Sequence, residues 1–294
     1  MFIFYIKKNK FIIVVFIIIS IIIAATQTFA SFFYFNNNSK VANVPFKNRF
    51  EKIQKTNLTI KNNKTDEIAA KNKPKFYLII DDVGYDEFML AQFIKLNLKI
   101  NYAIIPFLPK SMSLYKKLIN ANKSVIIHFP MQSKHRNSIE KFHINIKDKK
   151  EEIHKKIEKA FKKYPDVKIM NNHMGSLITS NKDLMRIILE KLKEIDRYFF
   201  DSVTIAGSVP ETIGKEIGVK VEKRDVFLDS KDTEESVIKE LEKAKNIARK
   251  NGIVKVIGHI WSKNTLKVLK KEEPDLNQEF EFENLLNLYE ETIR

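Results

Sequence analysis

From position 76 onward the chain alternates between short apolar runs and longer stretches whose apolar residues recur at helical spacing. The short runs are 76–80, 100–105, 124–128, 168–171, 198–201, 219–221 and 253–257, each of strand length. Between them, Ile153, Ile157, Ala160, Phe161 and Tyr164 share one helical face. So do Leu184, Ile187, Ile188, Leu192 and Ile195, and later Val237, Leu241, Ala244 and Ala248. Strands that alternate with such helices pair in parallel through crossover connections. The pattern predicts a barrel-like or open α/β domain of about seven parallel strands over 76–294. No repeat period is evident, which excludes a solenoid. A helix is expected over 262–271, ended by Glu272-Glu273-Pro274. The acidic, amphipathic stretch 278–293 is expected to pack on the barrel as a closing helix, with partner binding as its alternative.

The N-terminal end follows another pattern. Lys7, Lys8 and Lys10 precede an apolar run over 11–25 that only Ser20 interrupts. That is the upper length for a signal-peptide core, and its flanks bring it near the ~20 residues a bilayer requires. Residues 1–34 therefore read as a signal peptide or a transmembrane anchor. The anchor is favoured because Thr28 is a mediocre residue for cleavage after Ala30. In either case the basic flank stays in the cytoplasm and the remainder is exported, to the periplasmic face of the inner membrane or to the periplasm. Residues 35–75, rich in Asn and Lys without a sustained period, read as a flexible tether.

Charge sharpens this division. The chain carries 52 Lys and Arg against 36 Asp and Glu, a net charge of +16. Residues 1–75 hold 13 of the basic and 3 of the acidic residues, so most of the excess lies outside the expected domain. A basic tail beside a membrane segment suits anionic lipid or acidic polymer. It lacks the interleaved aromatics and docking motif that nucleic-acid binding calls for. The chain has no cysteine, which excludes disulfides, thiolate metal sites and a thiol nucleophile. Nothing in the sequence specifies an oligomeric state.

The candidate chemistry sits at strand ends, where α/β folds place their sites. Five of the seven runs lead into carboxylates or imidazoles: Asp81-Asp82, His128, Asn171-Asn172-His173, Asp201 and Gly258-His259. Two Asp, several His and no Cys suit a borderline divalent metal such as zinc. Asp82, His128 and His173 supply three ligands from separate strand ends, and Asp81 is a second carboxylate to take a proton. Neighbours on a strand point to opposite faces, so a turn is needed to bring both Asp residues to one site. His259 is a candidate general acid. The plainer alternatives are a helix cap or turn for Asp81-Asp82, a structural hydrogen bond for each strand-end His, a turn at Gly175-Ser176, and a structural ion pair between Asp201-Ser202 and Arg224-Asp225. His135, His143 and His154 lie in polar contexts and carry no assigned role.

Together these residues resemble the divergent polysaccharide deacetylases of bacterial envelopes. The motifs are Ile79-Ile80-Asp81-Asp82-Val83-Gly84-Tyr85, Ala103-Ile104-Ile105-Pro106, His128-Phe129-Pro130-Met131 and Asn171-Asn172-His173-Met174-Gly175-Ser176. Phe199-Phe200-Asp201-Ser202-Val203-Thr204, Arg224-Asp225-Val226-Phe227-Leu228-Asp229 and Ile257-Gly258-His259 complete them. The resemblance implies a deformed (β/α) barrel, a divalent metal, usually zinc, and removal of N- or O-acetyl groups from an acetylated polysaccharide. It implies Asp81 as base, Asp82 and His128 as ligands and His259 as acid. The superfamily's second ligand His is replaced by Gln132, so His173 is inferred as the third ligand. Asp201 and Arg224 are expected to orient the base and the acid. Asp225, Ser176 and Asn172 are expected to support the site or the substrate, and a backbone N–H near Gly84 or Gly175 to stabilise an oxyanion. Two alternatives stand beside this. One is a catalytically silent barrel that binds or scaffolds envelope glycans, which Gln132 favours. The other is a metal-dependent hydrolase of a peptide amide or a phosphoester, against which stands the lack of a Gly-rich phosphate loop.

Overall fold

The computed structural model describes residues 73–135 and 140–290. The expected anchor or signal at 1–34 and all but the last residues of the expected tether lie outside them. Among the described residues, no helix is long and apolar enough to cross a membrane.

In chain order the strands are β1 (Lys75–Val83), β2 (Ile100–Ile104), β3 (Ser124–Met131), β4 (Ile169–Met174) and β5 (Tyr198–Asp201). Then come β6 (Val221–Lys223), β7 (Val226–Phe227), β8 (Ile253–His259) and β9 (Glu281–Phe282). The helices between and after them are α1 (Glu87–Ile94), α2 (Ser111–Asn120), α3 (Lys150–Lys163) and α4 (Lys182–Glu194). They continue with α5 (Pro210–Ile217), α6 (Glu234–Asn251), α7 (Lys263–Glu279) and α8 (Asn287–Glu290).

The strands form one parallel sheet in the order β6-β5-β4-β3-β2-β1-β8-β7, with β9 beside the start of β1. Its two outermost strands, β6 and β7, are separated in sequence only by Arg224 and Asp225. The Arg224 N–H donates to the carbonyl of Asp201, the last residue of β5 (3.1 Å), and the next N–H, of Asp225, donates to Lys255 on β8 (2.8 Å). A chain spans at most about 3.5 Å per residue. The two edges therefore lie side by side, and the sheet is rolled into a barrel with one seam that lacks a strand ladder. Lys255 Nζ reinforces that seam, 3.6 Å from Glu222 and 3.5 Å from Asp225.

Side-chain alternation divides two cores. Phe76, Leu78 and Ile80 pack outward against the helices, whereas Tyr77 and Ile79 point into the barrel with Ala103, Ile126, Ile169, Phe200 and Ile257. The N-terminal end of the barrel is closed by Leu285, Leu288 and Tyr289. Asn101 fastens that plug. Its side-chain oxygen accepts from the Leu285 N–H (2.8 Å), and its amide donates to Leu78 and Glu283 carbonyls (3.1 Å each).

Three expectations need correction. The sheet has nine strands rather than seven, because β7 and β9 have two residues each, too few to show a period. Pro274 lies inside α7 instead of ending it. An interior proline costs about 3 kcal/mol, which burial of Val268 and Leu269 before it and Leu276 after it offsets. The closing segment is a short strand and a single helical turn, not one amphipathic helix.

Candidate active site

On β1 the inward phase runs Tyr77, Ile79, Asp81. Asp82 should then face outward. Instead its φ is +65°, and the β1–β2 register slips between Ile80 and Val83. The left-handed region is costly for most L residues, and Asp is among those that tolerate it. The turn brings both carboxylates to His128, whose Nε2 lies 3.1 Å from Asp82 Oδ1 and 3.7 Å from Asp81 Oδ2.

His173, inward on β4, completes the group. Its Nδ1 lies 2.8 Å from Asp82 Oδ1 and 3.1 Å from His128 Nε2. The ligand atoms of Asp82, His128 and His173 all lie within 4.8 Å of one another. Asp82 Oδ1 is buried, and neither ring nitrogen gives it a hydrogen bond of acceptable geometry. Lone pairs directed at a shared cation leave that arrangement. One carboxylate and two imidazoles also form a chemically suitable donor set for a divalent ion such as zinc.

Neighbouring side chains fix the ring tautomers. The Asn171 amide donates to Asp81 Oδ1 (2.9 Å), and a carboxylate only accepts. The Asn171 oxygen must then face His128 Nδ1, 2.8 Å away, so that nitrogen carries the proton and Nε2 is bare. On the far side of His173, Nε2 lies 3.5 Å from the Glu140 carboxylate, which also accepts from the Tyr85 hydroxyl (2.8 Å). A carboxylate behind a ligating imidazole orients the ring and raises its basicity. Burial disfavours charge on His173, but Asp82 and Glu140 outweigh it and lift the pKa to about 10.

The adjacent carboxylates are pushed apart electrostatically. Burial raises the Asp81 carboxyl above its ordinary range, and the imidazoles of His128 and His259 only partly oppose this. Burial acts on Asp82 too, but the two imidazoles of His128 and His173 beside it hold it well below that range. Such divergence separates a proton acceptor from a permanently ionised ligand. His259 ends β8 opposite Asp81. Its Nδ1 and its backbone N–H both engage Asp229, each at 2.7 Å, and the Thr265 hydroxyl donates to the same carboxylate (2.8 Å). Burial lowers the His259 pKa, but Asp229, with Asp82 and Asp81 beyond it, raises it to about 9.

The structure brings Asp81, Asp82, His128, His173 and His259 together. The other expected site residues hold the frame. Asn172 points away from the barrel; it donates to the Met174 carbonyl (2.7 Å) and accepts from the Ser202 N–H (3.0 Å). Asp201 shares the outward phase of Phe199. It accepts from the N–H of Val203, a β-branched residue at φ +49°, while Arg224 donates to the Ser202 and Val203 carbonyls (2.7 Å each). Asp201 and Arg224 thus brace a strained turn and reach Asn171 only through the Ser202 hydroxyl (3.3 Å). Asp225 belongs to the barrel seam. Ser176 accepts from the Lys134 N–H (2.9 Å). Gly175 has φ +88°, and a Cβ there would meet Met131 Cβ at 2.9 Å, which gives it a packing reason.

Asn171, Asp229, Glu140, Tyr85 and Trp261 carry contacts in the site that sequence reasoning gave no role. Strict period-2 phase would have selected Asn171 over Asn172. It would also have selected Asp229, two residues after the inward Phe227. Glu140 and Tyr85 lie on irregular segments with no phase to read.

The model of the divergent polysaccharide deacetylases matches residues 78–288. The chain is 34% identical over 185 residues to the uncharacterized protein YibQ of Escherichia coli, covering 63% of this chain and 58% of that protein. It thus spans less than two thirds of that relative's length. An uncharacterized protein of Haemophilus influenzae is 31% identical over 215 residues, 73% of this chain and 76% of its own. Among solved structures, an uncharacterized protein from Agrobacterium tumefaciens shares the fold, with TM-score 0.66 and 13% identity over 72% of this chain and 87% of that one. The family match spans the barrel and all five convergent residues, and the chain belongs to the divergent polysaccharide deacetylases.

Proposed function

We propose that the protein is a divalent-metal-dependent hydrolase that removes acetyl groups from a cell-envelope glycan. The observation that carries this reading is the meeting of Asp82, His128 and His173 between an Asp81 of raised pKa and the His259–Asp229 pair. Family membership supports an acetylated polysaccharide as substrate, and the basic flank and apolar run at 7–25 support an exported, membrane-tethered or released domain.

Asp82, His128 and His173 would hold the ion, with zinc the best fit to the donors. Bound there, it would supply positive charge that polarises an acyl carbonyl and makes a water acidic near neutral pH. Asp81 is the base. Asn171 occupies its Oδ1, so Oδ2 faces the site to receive the proton. His259 carries a proton at neutral pH and gives it to the departing sugar amine or alkoxide. Asp229 holds the ring so that Nε2, not Nδ1, makes that transfer.

The test combines metal analysis with acetate release. The dialysed full chain is expected to hold about one divalent ion and to release acetate from acetylated glycans. Asp82→Ala should lose both. A folded chain that takes up no added zinc, cobalt or manganese would overturn the reading. So would a metal-loaded chain that spares acetylated glycans.

A further inference from the structure

Trp261 is the chain's only tryptophan and stands 48% exposed at the rim of the site. Its indole N–H donates to Asp82 Oδ2 at 2.9 Å. An indole N–H has no acceptor role, so this contact commits Oδ2 and leaves Oδ1 facing the two imidazoles. The face of the same indole lies on the His259 ring, with centroids 5.0 Å apart and planes at 22°. His259 lies in turn on Phe227, at 5.2 Å and 10°. The Arg224 guanidinium caps the stack, 4.0 Å over the Phe227 ring. One half-exposed side chain therefore touches both the candidate metal ligand and the candidate acid.

We propose that Trp261 is a positioning residue that couples the metal-facing oxygen of Asp82 to the ring of His259. The proposal rests on the metal-site reading above. Tying Oδ2 removes the carboxylate's freedom to rotate or to offer both oxygens. Stacking on His259 holds the plane of that ring, while the Asp229 contact at Nδ1 holds its orientation within the plane. A purely structural role fits poorly, because half of the indole lies in solvent and its polar atom is spent on a site residue.

The test uses the full chain and two variants. In the wild type, cobalt(II) should quench the emission of the sole tryptophan, saturating at about one equivalent. Trp261→Phe keeps a ring over His259 and removes the N–H. It should weaken cobalt and zinc binding, measured by chelator competition, about 10–100-fold, the usual loss for a partner of a ligand. Its His259 Cε1–H resonance should stay close to the wild-type position. Trp261→Leu should weaken metal binding as much and also shift that resonance, through loss of the ring current. Equal metal affinity in wild type and Trp261→Phe would overturn the coupling and leave the metal site standing. Emission that stays unquenched while the metal binds would also overturn it. A wild-type chain that binds no metal would remove the metal-site reading and the coupling together.

Discussion

On β1 the inward positions read Tyr77, Ile79, Asp81; on β3, Ile126 and then His128; on β4, Ile169, Asn171, His173; on β8, Ile257 and then His259. Each strand thus begins inside the barrel with an apolar side chain and ends there with a polar one. The lower end is filled and capped by Leu285, Leu288 and Tyr289, and the Tyr289 hydroxyl donates to the Phe199 carbonyl (2.7 Å). The upper end gathers two carboxylates, three imidazoles and an amide. Alternation is common to both ends except at Asp82, where a positive φ and a register slip break it, so the difference lies mainly in side chains. The lower layer carries burial energy. The upper layer carries desolvated charge, which costs stability unless it is paired. Substitutions should therefore separate: losses at the top should reach chemistry, and losses at the bottom should reach folding.

The largest separation is expected at His259. His259→Ala should lower kcat by about 10²- to 10⁴-fold, the range for a lost general acid. Metal content should stay unchanged, because the side chain lies outside the ligand group. The pH profile supplies the sign. An acid must carry its proton, so activity governed by a pKa of about 9 holds through neutrality and falls as pH rises past that value. Asp229→Asn removes the main group that raises His259, so the falling limb should move to lower pH. A His259→Ala chain with wild-type turnover, or a limb that stays in place in Asp229→Asn, would break the assignment.

Leu285→Ala probes the other end. Leu285 is fully buried in the inner core, and such truncations cost about 2–5 kcal/mol. Urea unfolding should show that loss, whereas metal affinity of the folded protein should match the wild type. A Leu285→Ala chain that keeps its stability but loses metal would mean that the two layers are coupled.

How much of this was legible in the sequence follows from the same phase. Asp81, His128, His173 and His259 were readable because a parallel barrel must turn alternate residues inward and must present its strand ends. Asn172 and Asp201 lie on the outward phase, which composition near a strand end does not show. Asp82 was readable only as a possibility, since its arrival depends on a positive φ and a register slip that no local pattern announces. Trp261 and Glu140 were silent. Both act across loops 179 and 33 residues from the side chains they meet, and loop geometry has no period.

Gln132 gives the smallest expected effect and the sharpest check on the ligand set. From its sequence context it is the expected counterpart of a ligand histidine. Here its side-chain oxygen accepts from the Ile146 N–H (3.0 Å), its backbone N–H donates to Ile144 (2.9 Å), and its carbonyl accepts from Leu177 (3.2 Å). The residue ties two loops together, and its side chain is spent on one of them. Gln132→Ala deletes one exposed hydrogen bond, worth about 1 kcal/mol. Zinc affinity by chelator competition should therefore stay within about threefold of the wild type, while His173→Ala should abolish it. The reverse outcome would put Gln132 into the ligand set and take His173 out of it. The barrel would then hold its metal from two strand ends rather than three.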